Sequence, residues 1–349
     1  MDFNQTLYKE HLEEMSALYD QRAFLTSDSR TDFANAEDVE LRLEAHLDAL
    51  IIGGVQALDM CTRPDDAGQL YAGISLFCIQ NKTKLIKKAL LDYDKKKELD
   101  AATEALCHYW VKAWDISWLF ELFEQKKELL SVINKIVQYH GLTCTEKQKE
   151  LLQNNRIINP DKIIDIGLYG DINDVENLIS RLSQKNLADK AAIGLNLITG
   201  ANLFEDVFIQ ENIDKDILFD HEAEKLDKGE PVYSVLQHHG INITRLCQNP
   251  ETWQSWWNEN KARFNPELRY RNGMPYTPLC LLDNLKSKIF PNFIRQLVHQ
   301  ELILNYNINV PFLTSMLVKD QHKAFNQLEL IIESRKDNFK PGKWYITNE

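Results

Sequence analysis

Residues 38–58, with the sequence DVELRLEAHLDALIIGGVQAL, decide the fold class of this chain. Apolar or small residues recur in this stretch at intervals of three or four, at Val39, Leu43, Leu47, Leu50, Gly54 and Leu58. Because an α-helix turns once every 3.6 residues, this spacing places them on one helix face. The spacing recurs at Leu106, Trp110, Ala113, Ser117 and Phe120, and again between Leu313 and Ile331. The pattern predicts a chain rich in amphipathic helices.

The distribution of proline supports the helical interpretation. Only one of the ten prolines, Pro64, lies before residue 160, and a proline inside a helix costs about 3 kcal/mol. Apart from the tail Lys343–Thr347, no stretch alternates in the way typical of a half-buried strand. Two similar blocks, Asp161–Leu182 and Asp189–Phe208, begin 28 residues apart, a spacing typical of stacked helical hairpins. We therefore predict an all-α fold built from such hairpins.

Short-range signals predict where individual helices begin. Asn249 stands before Pro250, so that a capping side chain precedes proline at the first helical position. Thr145 is followed three residues later by Gln148, which has the form of a capping box. Asp171 is predicted to cap a further helix that ends near residue 182.

The segment 205–230 interrupts the helical pattern with charge. It contains ten acidic residues and three lysines, a net charge of −7 within a chain whose formal net charge is −12. Apolar residues are mixed with the acids, which favours an ordered or partly ordered insertion. The predicted organisation is an N-terminal helical-repeat array over residues 1–204, an acidic insertion or linker over 205–230, and a C-terminal helical array over 231–349.

Composition restricts the class of protein. The chain has 349 residues, of which 26% are charged and 44% hydrophobic, so it is neither disordered nor membranous in composition. No apolar stretch approaches the roughly 20 residues that span a bilayer, and no secretion signal is visible. Six single cysteines without a CxxC pair indicate free thiols in a reducing compartment. We expect a soluble cytoplasmic protein without a membrane partner.

Motifs that carry catalytic chemistry are missing from the sequence. There is no HExxH, no GxSxG nucleophile elbow, no P-loop and no GxGxxG. The adjacent His238 and His239 point in different directions in regular structure, so they cannot chelate a metal as an i, i+4 pair does. The acidic balance disfavours non-specific binding to nucleic acid, whose affinity comes from lysine and arginine. We predict no catalytic, cofactor-binding or metal-binding residues, and no cofactor.

Acidic and aromatic side chains are the candidates for contact with a partner protein. Carboxylates steer and bind basic proteins, and exposed tryptophans often anchor interfaces. The predicted partner-binding residues are Asp206, Glu211, Asp214, Asp216, Asp220, Glu222, Glu224, Trp253, Trp256 and Trp257. For the acids, the alternative is a solvated loop. For these tryptophans, and for the stripe Trp110, Trp114 and Trp118, it is packing between helices.

Six short segments carry a resemblance to a known family. They are Gln21–Leu25 (QRAFL), which matches loosely, Asp38–Leu50, Gly167–Asp171 (GLYGD), Ala191–Gly200 (AAIGLNLITG), Trp256-Trp257 and Leu268–Gly273 (LRYRNG). In this order they resemble blocks of a family of bacterial HEAT-like repeat proteins, which are often encoded beside type VI secretion components. The resemblance implies a HEAT-like α-solenoid, here with an acidic insertion, and a protein that is not an enzyme.

The resemblance and the segregated charge together favour a protein-binding function. The leading expectation is an immunity protein that binds and neutralises a secreted effector toxin of a type VI system. A second hypothesis is an adaptor or chaperone that loads an effector onto the secretion spike. A third, from another class, is a helical-repeat enzyme acting on nucleic acid, which requires a concave basic groove.

Overall fold

Helices dominate the structure, which confirms the all-α prediction. The computed structural model describes residues 3–27, 33–153, 161–210, 218–228 and 240–343. Within these ranges the first helices are α1 (Phe3–Ser27), α2 (Phe33–Ile52), α3 (Gly54–Cys61), α4 (Ala67–Ile79), α5 (Thr83–Asp92), α6 (Lys96–Tyr109), α7 (Ser117–Gln125), α8 (Leu129–His140) and α9 (Glu146–Gln153). They are followed by α10 (Lys162–Tyr169), α11 (Val175–Arg181), α12 (Ala188–Thr199), β1 (Phe204–Gln210), α13 (Asp220–Asp227), β2 (Gly240–Leu246) and α14 (Pro250–Asn260). The last elements are β3 (Tyr270–Arg271), β4 (Met274–Pro275), α15 (Pro278–Lys286), α16 (Asn292–Tyr306) and α17 (Val318–Ser334).

The chain divides into two compact units. Unit 1 consists of Met1–Asn159, Leu281–Phe339 and Tyr345–Glu349, and unit 2 of Pro160–Cys280 and Lys340–Trp344. These limits differ from the predicted divisions at residues 204 and 230, because segments distant in sequence pack into the same unit. Among the described residues, none of the helices has the combination of length and apolarity that a bilayer crossing requires.

Helix α4 lies at the centre of unit 1. Its sequence, AGQLYAGISLFCI, has no charged residue, so apolar neighbours can cover it on every side. Helices α1, α3, α5 and α6 pack against it, and α6 packs in turn against α8. The approach of α1 requires Gly68, because a Cβ at this position would lie 2.6 Å from Ser16 Cα. Asp66 caps the helix by accepting a hydrogen bond of 2.7 Å from the backbone N–H of Gln69.

Helix α12 has the corresponding central place in unit 2. Its side chains from Ala191 to Thr199 are all buried, and α10 and α11 pack against it. Helix α10 crosses α12 at two glycines, where a Cβ on Gly167 would lie only 2.4 Å from Gly194 Cα. Helix α14 packs against α11 and brings Trp253 and Trp257 into the core.

An antiparallel ribbon in unit 2 contradicts the expectation that only the C-terminal tail resembles a strand. Strand β1 pairs with β2 along its whole length, from Phe204 opposite Leu246 to Gln210 opposite Gly240. Apolar and acidic residues in β1, FEDVFIQ, do not alternate strictly, so the period-2 signal is lost. The pairing partner of Phe204 is 42 residues away along the chain. Residues 344–347 of the predicted tail strand lie outside the described residues.

All three predicted helical stripes are interrupted. Helix α17 begins only at Val318, so Leu313 and Leu317 of the third stripe precede it. Helix α2 ends at Ile52, and Gly54, with φ +57°, begins α3 after a break in the backbone direction. Helix α6 ends at Tyr109, and Trp110 has ψ 129°, outside the helical region. Helix α7 starts only at Ser117, so the tryptophan stripe at i, i+4 and i+8 is not one helix.

Two of the three predicted helix starts are confirmed, and the third differs. Asp171 caps a short 3₁₀ turn, Ile172–Asp174, through the N–H of Asn173, and α11 follows from Val175 to Arg181. The side chain of Asn249 accepts hydrogen bonds from the backbone N–H groups of Glu251 and Thr252 at the start of α14. Thr145 and Gln148 make both bonds of a capping box, at 2.8 and 3.4 Å. Such signals can be read from sequence because they involve residues within one helical turn.

Candidate functional site

The ribbon β1–β2 uses its acidic residues in cross-strand contacts. Asp206 Oδ1 accepts a hydrogen bond of 2.6 Å from Thr244 Oγ1. Glu205 forms an ion pair with Arg245 at 2.9 Å on the opposite face of the ribbon. Cross-strand pairs of this kind stabilise a two-stranded sheet by a few tenths of a kcal/mol to about 1 kcal/mol each. Asp206, predicted to bind a partner, therefore also stabilises the ribbon.

The predicted acids of α13 divide into two classes. Glu222 is buried, and its Oε2 accepts a hydrogen bond of 3.0 Å from the backbone N–H of Phe219, which closes the helix start. Asp220 and Glu224 are exposed, and Glu224 forms a long ion pair of 3.9 Å with Lys228. Exposed pairs of this type contribute little to stability, so Asp220 and Glu224 are available to a partner. The predicted Glu211, Asp214 and Asp216 lie outside the described residues.

Large apolar side chains are exposed on the same two elements. Phe219, at the start of α13, is 71% exposed, and Phe204 and Ile209 of β1 are 47% and 44% exposed. Each of these three residues lies within two positions of an acidic residue in the sequence. Apolar residues framed by charge have the composition of an interface core and its rim.

The tryptophans of α14 belong to the core of unit 2. Trp253 is fully buried, and its indole N–H donates a hydrogen bond of 2.7 Å to the carbonyl of Cys247. Trp257 is buried against Phe264, with 5.6 Å between ring centroids. Trp256 is half-buried and meets Trp253 edge to face. For Trp253 and Trp257 the alternative of interior packing holds, because neither side chain is accessible to a partner.

The tryptophans of the α6–α7 region also pack against each other. Trp110 stacks on Trp118 with 5.9 Å between centroids, and Trp114 donates from its indole N–H to Asn81 Oδ1 at 2.7 Å. The non-helical turn between the two helices produces this cluster, rather than a stripe along one helix.

Three of the segments that carry the family resemblance meet in unit 2. The backbone N–H of Tyr270 donates to the carbonyl of Gly170 at 2.9 Å. The N–H groups of Asn272 and Gly273 donate to the carbonyls of Leu197 and Ile198, at 2.7 and 3.0 Å. The turn between β3 and β4 thus binds the last carbonyls of α10 and α12, which have no partner within their own helices.

Side chains complete this junction. Arg271 is fully buried and donates from Nη2 to the carbonyl of Leu168 at 2.6 Å. The guanidinium of Arg269 lies 3.5 Å from the ring centroid of Tyr169. Gly200 has φ +60°, and a Cβ there would lie 2.4 Å from the carbonyl carbon of Asn272. The junction satisfies helix ends and is a structural feature of unit 2.

A cluster of buried charged groups in unit 1 surrounds Arg22, which sequence reasoning missed as a site. Arg22 is 1% exposed, and its guanidinium pairs with Glu40 at 2.8 Å and Glu104 at 3.3 Å. It also donates to the carbonyls of Ser315 and Met316 at 3.0 and 3.2 Å. The available signal was an arginine on the apolar face of α1, at helical spacing after buried Met15, Leu18 and Tyr19.

These groups hold the connection between α16 and α17, residues 307–317, which we call the strap. Glu40 Oε2 accepts a hydrogen bond of 2.8 Å from the N–H of Val318, directly after the strap. Tyr139 Oη accepts from the N–H of Leu317 at 3.2 Å and donates to Asp320 at 3.1 Å. Several strap side chains are buried beneath these bonds, namely Ile308, Val310, Phe312, Met316 and Leu317.

Burial perturbs the titration of this cluster. Burial, and next the charge of Arg22, lower the pKa of His108 well below its ordinary value. The neutral ring lies 2.9 Å from the Tyr71 hydroxyl through Nδ1 and 3.4 Å from the carbonyl of Ser315 through Nε2. Burial also raises the pKa values of Glu40 and Glu104, against the opposing effect of Arg22. The cluster clamps the strap from inside the protein.

Comparisons with known proteins supply no relative. No protein-family model matches the chain, and no curated protein or solved structure is similar to it at a significant level. In the described ranges, no group of three or more histidine, cysteine, aspartate and glutamate side chains is placed to hold a metal ion.

Proposed function

We propose that this chain is a non-enzymatic protein-binding module, and that it acts as an immunity protein that neutralises a secreted effector toxin. The observation that carries the proposal is the exposure of Phe219 and Ile209 within the acidic segment 205–230, and of Phe204 immediately before it. The resemblance to HEAT-like proteins encoded beside type VI secretion components supports the choice of partner.

The charge of the segment supports a basic partner. Residues 205–230 carry a net charge of −7, and such a field attracts a cationic protein and raises its association rate. Asp220 and Glu224 are exposed, so their carboxylates can exchange water for a cationic partner. Phe219 directly precedes Asp220 in the sequence. It supplies a large apolar side chain of the kind that contributes most of the binding energy at an interface.

Co-expression with the toxin that the proposal requires, sought among the products of the neighbouring genes, tests the proposal. We expect the wild-type protein to restore growth, and purified protein to bind the toxin with an association rate that falls as salt is added. If the toxin kills equally with and without this protein, the immunity function is refuted. If deletion of the gene stops secretion without self-poisoning, the adaptor hypothesis replaces it.

Two variants locate the interface. The double variant Asp220→Lys/Glu224→Lys should slow association about tenfold and flatten its salt dependence, because it changes the local charge by +4. Asp38→Lys/Asp48→Lys, which reverses two exposed acids of α2 in unit 1 and changes the charge by the same amount, is the matched control and should leave binding nearly unchanged. Equal effects of the two variants would indicate a general charge effect rather than a contact at α13.

A further inference from the structure

A cleft lies in unit 1 between α8, α16 and the strap. Its volume is about 480 Å³, within the range of roughly 300–1,000 Å³ typical of small-molecule sites. Residues Asn134, Val137, Gln138 and Gly141 line it along one face of α8, at helical spacing. Gln296, His299, Gln300, Ile303 and Leu304 line it along one face of α16, and the strap contributes Asn309, Pro311 and Phe312.

Among the residues that the structure describes, the lining contains none that is charged. This absence is informative, because 26% of the residues in the chain are charged and the thirteen lining residues include none of them. An ionised ligand would lose its hydration in such a cleft without an opposite charge to replace it. The lining therefore favours an uncharged ligand.

Carboxamides are the main polar groups of the lining. Five of the thirteen residues are asparagine or glutamine, and each carboxamide offers both donors and acceptors. Gln138 Nε2 donates to Asn134 Oδ1 at 3.2 Å, and Gln296 Nε2 donates to Thr314 Oγ1 at 3.4 Å. These bonds orient the two glutamine side chains while leaving their carbonyl oxygens as acceptors. A ligand edge that carries a hydrogen-bond donor beside an acceptor, as an amide does, complements these carboxamide groups.

His299 adds one further acceptor. Its Nε2 lies 2.8 Å from the carbonyl of Val310 and must carry the proton, because a carbonyl oxygen only accepts. Burial lowers the pKa of His299, so the ring is neutral at pH 7 and Nδ1 is an acceptor. The same bond fixes the strap against α16.

We propose that this cleft binds an uncharged small molecule that has an apolar body and an amide-type edge. Val137, Ile303, Pro311 and Phe312 contact the apolar body, and the carboxamides of Gln138 and Gln296 bind the edge. The site is independent of the acidic segment and of the protein-binding function proposed above.

The strap makes the site largely preformed. The residues Pro311 and Phe312 that form the cleft wall are followed closely by Ser315 and Met316, whose carbonyls are bound by buried Arg22. A wall held in this way needs little ordering when a ligand binds, and this reduces the entropic penalty of association.

Benzamide and benzoate, which have nearly the same shape, test the proposal on the full chain by ¹⁵N NMR titration. We expect benzamide to bind with a Kd on the order of 1 mM, as is typical of a ligand this small. Its shifts should concentrate on α8, α16 and the strap. Benzoate should bind at least about tenfold more weakly, because its charge is not compensated. Equal binding of the two, or benzamide shifts centred outside the cleft, would overturn the proposal.

Variants at the polar edge provide the second measurement. Gln138→Leu and Gln296→Leu should each weaken benzamide binding about three- to tenfold, the effect of one lost hydrogen bond. Gln125→Leu, at an exposed position of α7, is the control and should not change the affinity. The dispersed NMR spectrum of each variant verifies that it is folded. If both cleft variants bind benzamide as the wild type does, the carboxamides do not form the site.

Discussion

The crossing of α10 and α12 leads to a prediction in which two chemically identical substitutions have opposite effects. A Cβ on Gly167 would lie 2.4 Å from Gly194 Cα and 3.2 Å from the carbonyl carbon of Gly194. Carbon atoms in favourable contact are about 3.5–4.0 Å apart, so Gly167→Ala forces the two backbones to separate by roughly 1 Å. A Cβ on Gly194 instead meets Leu178 Cδ1 at 3.4 Å and Gly167 Cα at 3.5 Å, which is ordinary contact.

The magnitudes follow from two contributions. Replacing glycine by alanine within a helix stabilises by about 0.8–1.0 kcal/mol through backbone entropy. Overpacking destabilises by about 1–3 kcal/mol, and a contact of 2.4 Å with backbone, which cannot rotate away as a side chain can, places this case in the upper part of that range, at about 2–3 kcal/mol. We therefore expect Gly167→Ala to lower the free energy of unfolding by about 1–2 kcal/mol, and Gly194→Ala to raise it by up to about 1 kcal/mol. The two variants should therefore differ in their free energy of unfolding by about 2–3 kcal/mol. This difference measures the overpacking alone, because the gain from helix propensity is common to both variants.

Urea unfolding followed by circular dichroism measures the change in midpoint at constant slope. Because the chain has two units, hydrogen exchange of the amides in α12 supplies a readout specific to unit 2. Exchange should be faster than in the wild type for Gly167→Ala and no faster for Gly194→Ala. Equal destabilisation of the two variants, or a Gly167→Ala variant as stable as the wild type, would refute close backbone contact at this crossing as the cause.

Three further predictions concern buried titratable groups. Arg22→Met leaves the carboxylates of Glu40 and Glu104 without their cation and should destabilise by about 3–5 kcal/mol. Arg22→Met/Glu40→Gln removes one of these charges and keeps an acceptor for the N–H of Val318, so it should recover part of the loss in urea melts; an equally unstable double variant would contradict this. The lowered pKa of His108 means that the unfolded chain binds a proton where the folded protein does not, so stability falls as pH drops through about 6.5. His108→Gln should make this fall shallower, and an unchanged slope of urea midpoint against pH would exclude His108 as its source. The six cysteines are buried free thiols, and burial raises the pKa of Cys61 to about 12, so Ellman's reagent should react with all six only after denaturation; prompt reaction in the native protein would contradict their burial.

The helical class and several helix ends were predictable from the sequence because the interactions responsible are local. Apolar spacing in α2 and caps such as Asn249 involve residues within about four positions of each other. The predictions failed where one position changed the backbone direction. Gly54 breaks the stripe that begins at Val39, and the turn after Tyr109 breaks the tryptophan stripe. The apolar spacing of a sequence can continue across a short break between two helices. The spacing alone therefore does not reveal the break.

The candidate site was predictable only in part, because exposure is not a property of sequence. The acidic segment was visible as a run of charge, and Asp220 and Glu224 are exposed as a partner site requires. Glu222 and Trp253, chosen on the same grounds, are buried. A glutamate that caps a helix start and a glutamate that faces water are the same residue type in the sequence. Their environments differ only once the chain has folded.

What the sequence determined by itself is the α-helical class, the local caps and the acidic character of residues 205–230. Tertiary structure alone decided the partners of buried polar groups. Arg22 binds the carbonyl of Ser315, 293 residues away, and Asn272 binds the carbonyl of Leu197. The neutral cleft likewise combines α8 with a helix that begins more than 150 residues later. These pairings depend on which helices pack together, and that choice is made by buried area and shape summed over the whole unit, so no short stretch of sequence contains it.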